Sequence, residues 1–159
     1  MKRIGVAAIA VALLLPVGLN AQGYGRGPDD RRDLEERRGR VAGIIGDLQR
    51  RTEEFKGALR RALDRSPMEG THREDELNRD ASKLEHATNR LRDSWNADRD
   101  FERSRRHLAD ALAAGQDINR TMSRHRLRGQ VQHEWEGVRR ELNRLAEVFR
   151  EPPIRWDER

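Results

Sequence analysis

The sequence predicts an all-α protein, an antiparallel up-down four-helix bundle assembled from two duplicated helical hairpins, and three observations predict it. Apolar residues recur at alternating spacings of three and four through most of the chain, the period of one face of an α-helix. Short polar segments, DRSPMEG, NADRD and SRHRLRG, interrupt that pattern, and Pro152 with Pro153 end it. A shift of 54 residues carries the apolar stripe of the second helical run onto that of the fourth.

Ahead of the helical region, Lys2 and Arg3 precede an apolar run over residues 4–15, closed by Pro16, Gly18 and the small residue Ala21 before Gln22. This is the pattern of a secretory signal peptide over residues 1–21. The run is shorter than the about 20 apolar residues that a membrane-spanning helix needs. The expectation is therefore an exported chain, periplasmic or secreted, with no membrane span after cleavage. With no Cys in the sequence, lipid attachment through an N-terminal cysteine, disulfides and thiolate ligands are all excluded, and stability has to come from packing.

Charge is abundant and nearly balanced. Lys2 and Arg3 belong to the leader, so the formal net charge falls from +5 for the whole chain to +3 beyond it. The basic side chains are 30 Arg and three Lys, which raises the isoelectric point without producing a one-sided charge distribution. Arg suits bidentate pairing with carboxylate or phosphate. A GC-rich genome that favours Arg, Gly and Ala codons accounts for the same bias. A nucleic-acid partner, which calls for strongly asymmetric charge, is not expected.

Residues 22–28, QGYGRGP, are Gly-rich and aperiodic, a flexible lead. The bundle is expected over residues 29–151 and a tail over residues 152–159. Helix one begins near Asp29 or Asp30 and carries Leu34, Val41, Ile45, Leu48, Thr52, Phe55, Leu59 and Ala62 on one stripe. Thr71 and Glu74 form a capping-box pattern that opens helix two, with its stripe on Leu77, Ala81, Leu84, Thr88, Leu91 and Trp95. Helix three is capped by Asp98 or Asp100 and carries Phe101, Leu108, Leu112, Gly115, Ile118 and Met122, with Ala111 between them. Helix four runs from about Leu127 to Phe149 on Val131, Trp135, Val138, Leu142, Leu145 and Phe149, and the tail is expected to lay Ile154 and Trp156 back on the bundle.

The 54-residue shift pairs each stripe position of helix two with one of helix four, from Leu77 with Val131 to Trp95 with Phe149. The repeated tripeptide Asn-Arg-Leu therefore reads as a packing unit. Asn89 and Asn143 precede the stripe Leu by two positions, about 200° around the helix, and are expected to face solvent. At about 1.5 Å per residue helix one reaches about 55 Å against about 36 Å for the others, so its N-terminal third has to overhang or break near Gly39 to Gly43. Trp95, Trp135, Phe55, Phe101 and Phe149 are expected in the core.

No chemistry-bearing motif survives scrutiny. HEWEG begins like the zinc-protease box His-Glu-x-x-His, yet Gly137 stands where the second His must be, and one His per turn cannot chelate. His86 and His133 face outward by heptad position, and His72, His107 and His125 are scattered. Covalent haem attachment lacks its cysteines, and Met122 reads as core filler. No catalytic residue, cofactor site or metal site is assigned, and an enzyme is not expected.

Two surfaces stand out. Gly39, Gly43, Gly46 and Gly57 share a narrow sector of helix one opposite its apolar stripe, where each costs roughly 0.5–1 kcal/mol relative to Ala. That face is a candidate for close approach by a protein partner or a second copy, against the plainer reading of glycine tolerated on a solvated face. In an up-down bundle the loops after helices one and three share a pole. That pole gathers Arg60, Arg61, Arg65, Arg73, Arg124, Arg126 and Arg128, a candidate anion contact. Basic residues at helix C-termini are also expected from the macrodipole alone.

The combination of RLRDSW in the first hairpin with WEGVRRELNRLAEVF behind a leader resembles a group of exported helical proteins of GC-rich bacteria whose function is unknown. The matching positions are Trp135, Val138, Arg139, Leu142, Asn143, Leu145, Ala146 and Phe149, with Phe149 where that group often has Tyr. The resemblance implies export and helical architecture and brings no activity with it. Periplasmic helical stress chaperones share the small, charged, cysteine-poor character but have a Leu-Thr-x-x-Gln motif missing here, so a chaperone-like role enters by analogy alone. The expected function is that of a non-enzymatic, exported protein-interaction or envelope-support bundle. The alternative is a binder of polyanionic envelope material through the Arg-rich pole.

Overall fold

The computed structural model describes residues 28–65, 70–125 and 129–155, which form α1 (Pro28–Leu63), α2 (His72–Asp98), α3 (Phe101–His125) and α4 (Gln130–Phe149), with no strand among the described residues. The expected leader and most of the lead lie outside the described residues, as do Arg126, Leu127, Arg128 and Trp156. No described helix is long and apolar enough to cross a membrane.

The helix ends follow from local chemistry. Pro28 opens α1, where its missing N–H is no loss, and Asp29 and Asp30 meet the positive end of the dipole while Arg60 and Arg61 meet the negative end. α2 departs from the expected capping box: the Thr71 hydroxyl makes no cap hydrogen bond, and Glu74 Oε2 accepts instead from the Gly70 N–H at 2.6 Å, one residue further back. Gly70 adopts φ +73°, which turns its N–H towards the helix start. Asp100 caps α3 as expected, its Oδ1 accepting the Arg103 N–H at 2.7 Å. α4 begins at Gln130 rather than near Leu127, because Gly129 at φ +74° lies outside the right-handed helical region.

Two helices end on a left-handed residue that is not glycine. Arg99 has φ 51° after α2 and Arg150 has φ 59° after α4, each donating its N–H back to the last turn. After α4 the Glu151 N–H also reaches Ala146 O at 2.8 Å, completing a two-bond C-terminal cap. Side chains with a Cβ cost about 1–2 kcal/mol in this conformation.

Each helix packs on its neighbours in chain order and α4 closes on α1, while the diagonal pairs meet through long side chains, Trp95 with Phe149 and Arg37 with Phe101, which is the up-down ring. The two stripes related by the 54-residue shift are buried at every position, from Leu77 to Trp95 and from Val131 to Phe149. Between them lie Phe55 on Trp135, centroids 5.4 Å apart, and a second cluster of Trp95, Phe101 and Phe149 near the opposite pole. Phe101 departs from the expected core position. As the first residue of α3 it is half-buried, and Arg37 lies over its ring at 6.0 Å. One buried polar pair spans two helices: Asp80 on α2 accepts the Thr121 hydroxyl of α3 at 3.0 Å.

α1 resolves the overhang-or-break alternative in favour of the overhang. Its 36 residues run unbroken through Gly39 and Gly43, about 54 Å against about 30 Å for the 20 residues of α4. Arg37 reaches the first residue of α3, so the turns before it continue past the other helices, and Leu34 in that stretch is only half-buried.

The α3–α4 seam is the most open of the ring, and the tail fills it. Ile154 is buried there, and a Cβ on Gly115 would stand 2.6 Å from Ile154 Cδ1 and 2.9 Å from Leu142 Cδ1, so only glycine leaves room. Asn143 grips the tail backbone on both sides, accepting the Ile154 N–H at 2.8 Å and donating to Ile154 O at 3.2 Å. Asn119 accepts the Trp135 indole N–H at 3.2 Å and donates to Arg155 O at 3.3 Å. The expectation of a solvent-facing Asn143 is therefore corrected, and so is that for Asn89, which accepts from Gln49 Nε2 at 2.8 Å across α1 and α2. Both Asn residues are half-buried because the hairpin partner, or the tail, covers the flank of the stripe.

Candidate functional site

The glycine face divides. Gly39, Gly43 and Gly46 are exposed, and a Cβ added at any of them would meet nothing within 4 Å. Their outward direction matches the helical-wheel expectation. Gly57 stands apart: it is half-buried, and its Cβ would lie 3.3 Å from Arg61 Nη1, so the side chain one turn on already covers it.

The expected basic pole is assembled as the topology requires, since Arg124 near the end of α3 lies 3.5 Å from Glu76 near the start of α2. Arg60, Arg61, Arg65, Arg73 and Arg124 are exposed there, while Arg126 and Arg128 lie outside the described residues. Of these, Arg60, Arg61, Arg65 and Arg73 make no side-chain hydrogen bond or ion pair with another described residue. Among the described residues, no group of three or more His, Asp or Glu side chains is placed to hold a metal ion. His86 and His133 are exposed, as their heptad positions require.

Gly137, which broke the zinc-box pattern, has a packing reason to be glycine. A Cβ there would lie 2.8 Å from Arg51 Nη1, so its absence lets Arg51 of α1 cross the surface of α4. Arg51 Nε then approaches Glu141 at 3.7 Å, and the same buried carboxylate accepts Arg144 Nη1 at 2.7 Å. Glu141 thus carries two guanidiniums at the α1–α4 seam. Between Gly137 and Glu141, burial pushes the Arg139 guanidinium below its ordinary value, Glu136 opposing the shift and Arg140 adding to it.

At the pole opposite the predicted one, α1 and α4 enclose a groove of about 340 Å³ that the sequence did not reveal. Arg37 and Arg40 come from α1, Arg144 from α4 and Arg150 from its left-handed cap, with Ile44 and Val148 as an apolar floor and Glu147 as the carboxylate among the lining residues. Arg37 is steadied by the Phe101 ring, Arg40 by Glu36 at 3.0 Å and Arg144 by Glu141. Arg150 makes no side-chain hydrogen bond or ion pair with another described residue. These residues flank the apolar stripes of helices one and four, a position readable from the spacing. That α1 adjoins α4, and in which register, is not.

Comparison of the chain with models of protein families, with curated proteins and with solved structures finds no match to any of them.

Proposed function

We propose that the chain is a non-enzymatic interaction protein, an exported or envelope-supporting helical bundle that binds another protein along the outer face of α1. The observation that carries this reading is the overhanging, glycine-lined α1. The helix is longer than its own bundle needs, and Gly39, Gly43 and Gly46 give its outer side a low surface on which another helix can approach the backbone closely. Sites of this kind rest on steric fit, so bulk should disrupt them without harming the fold. Gly43→Leu with Gly46→Leu is expected to keep the monomer folded while abolishing capture of a partner from the cell envelope and any self-association, read by pull-down and analytical ultracentrifugation. Unchanged behaviour of the double variant in both assays sinks the proposal.

A second reading is supported by four exposed arginines of the α1–α2 pole that pair with no other described residue: binding of polyanionic envelope material there through solvated charge. Such binding weakens steeply as salt rises, because screening extends over only about 8 Å at physiological ionic strength. A helix docked on the glycine face is nearly salt-insensitive, so titrating partner capture against ionic strength separates the two.

A further inference from the structure

The groove between α1 and α4 is concave, mixed in polarity and lined by four arginines from two helices and a cap. We propose that it binds a phosphate group carried on a small apolar body, with Arg37, Arg40, Arg144 and Arg150 as its donors and Ile44 and Val148 beneath the apolar part.

Three features support this. Each guanidinium offers five N–H donors, and Glu36 and Glu141 engage only part of what Arg40 and Arg144 present, so donors remain for a ligand. The buried Glu141 carboxylate holds Arg144 in position and the Phe101 ring lies against Arg37, which lowers the ordering cost of binding. Arg150 occupies a backbone position at φ 59° that glycine fills without penalty, and its side chain has no described partner to compensate. Arg99 at φ 51° shares that backbone without lining the groove, so it serves as the matched control. Phosphate is favoured over a single carboxylate because the four guanidiniums lining the groove, set against the one carboxylate of Glu147, supply more charge and more donors than two oxygens can use, whereas phosphate presents three terminal oxygens to bidentate forks.

The test uses the full chain at low salt, titrated calorimetrically with three soluble probes: inorganic phosphate, dihexanoylphosphatidic acid and dihexanoylphosphatidylcholine. Binding of the phosphatidic acid with little binding of the phosphatidylcholine is expected. A tighter phosphatidic acid than inorganic phosphate supports the apolar part of the site, and equal affinities overturn it. Arg40→Gln combined with Arg150→Gly should weaken binding about tenfold or more, the loss expected when charge-assisted hydrogen bonds are removed. Arg150→Gly alone should lower affinity while holding or raising Tm, a combination that damage to the fold does not produce. Arg99→Gly should raise Tm and leave affinity unchanged, and Arg60→Gln with Arg61→Gln at the far pole should also bind as the wild type does. The proposal is overturned if neither phosphate-bearing probe binds, if the Arg40 and Arg150 double variant binds unchanged, or if the far-pole variant loses as much as it does.

Discussion

Gly115 shows how a single residue takes its identity from a part of the chain remote in sequence. Helical spacing places it on the buried stripe of α3, and it is buried. The reason it has no side chain lies in Ile154, whose Cδ1 stands 2.6 Å from where a Cβ would be. Gly115→Ala gains helix propensity yet forces two buried methyl groups to move, and overpacking of this kind costs about 1–3 kcal/mol. Ile154→Ala removes the nearer clash, so the two changes should be non-additive by more than about 0.5 kcal/mol in a urea-denaturation double-mutant cycle. Additivity would mean that the tail does not press on Gly115. Asn143 repeats the lesson. The wheel pointed it at solvent because the wheel contains only the helix, and the tail that covers it is chosen by three-dimensional packing.

Among the elements, the four helices and several of their ends were readable from period and capping chemistry, the Asp100 cap and the stop before Pro152 and Pro153 among them. What local sequence did not give was cap geometry: Thr71 and Glu74 match a capping box by spacing, but the left-handed Gly70 redirects the Glu74 carboxylate to its own N–H. α1 offers the clearest element-scale test. Because Gly39, Gly43 and Gly46 have open space around an added Cβ, Ala at each should stabilise the helix by about 0.5–1 kcal/mol, raising Tm and the helical signal in circular dichroism. Destabilisation instead would show that these glycines are needed by the isolated fold itself.

For the whole molecule, the fold class and the buried stripes were legible because a bundle needs little more than a repeated 3.6-residue pattern and short connections. The basic pole followed from the same topology. The α1–α4 groove did not, since Arg37, Arg40, Arg144 and Arg150 become neighbours only once the ring closes in a particular register. Leu142 is where the parts of the molecule converge: it lies in the core, touches the Gly115 notch and belongs to the repeat that relates α2 and α4. Leu142→Asp places an unpaired carboxylate there and should cost more than about 4 kcal/mol, enough to abolish cooperative thermal unfolding measured by circular dichroism.

The strap formed by the tail also bears on when the molecule becomes itself during synthesis. Residues 152–155 follow all four helices in the chain, yet Ile154 and the Asn119 and Asn143 clamps complete the α3–α4 seam. A ribosome that still holds this stretch therefore holds back the last seam, while α1, α2 and most of α3 are already free to pair. Until the strap emerges, Leu142 and Trp135 stand beside an unfilled notch at Gly115, so the growing chain carries a built-in delay between helix formation and ring closure. A chain arrested before Ile154 should accordingly show nearly full helicity together with fast amide exchange along the facing sides of α3 and α4.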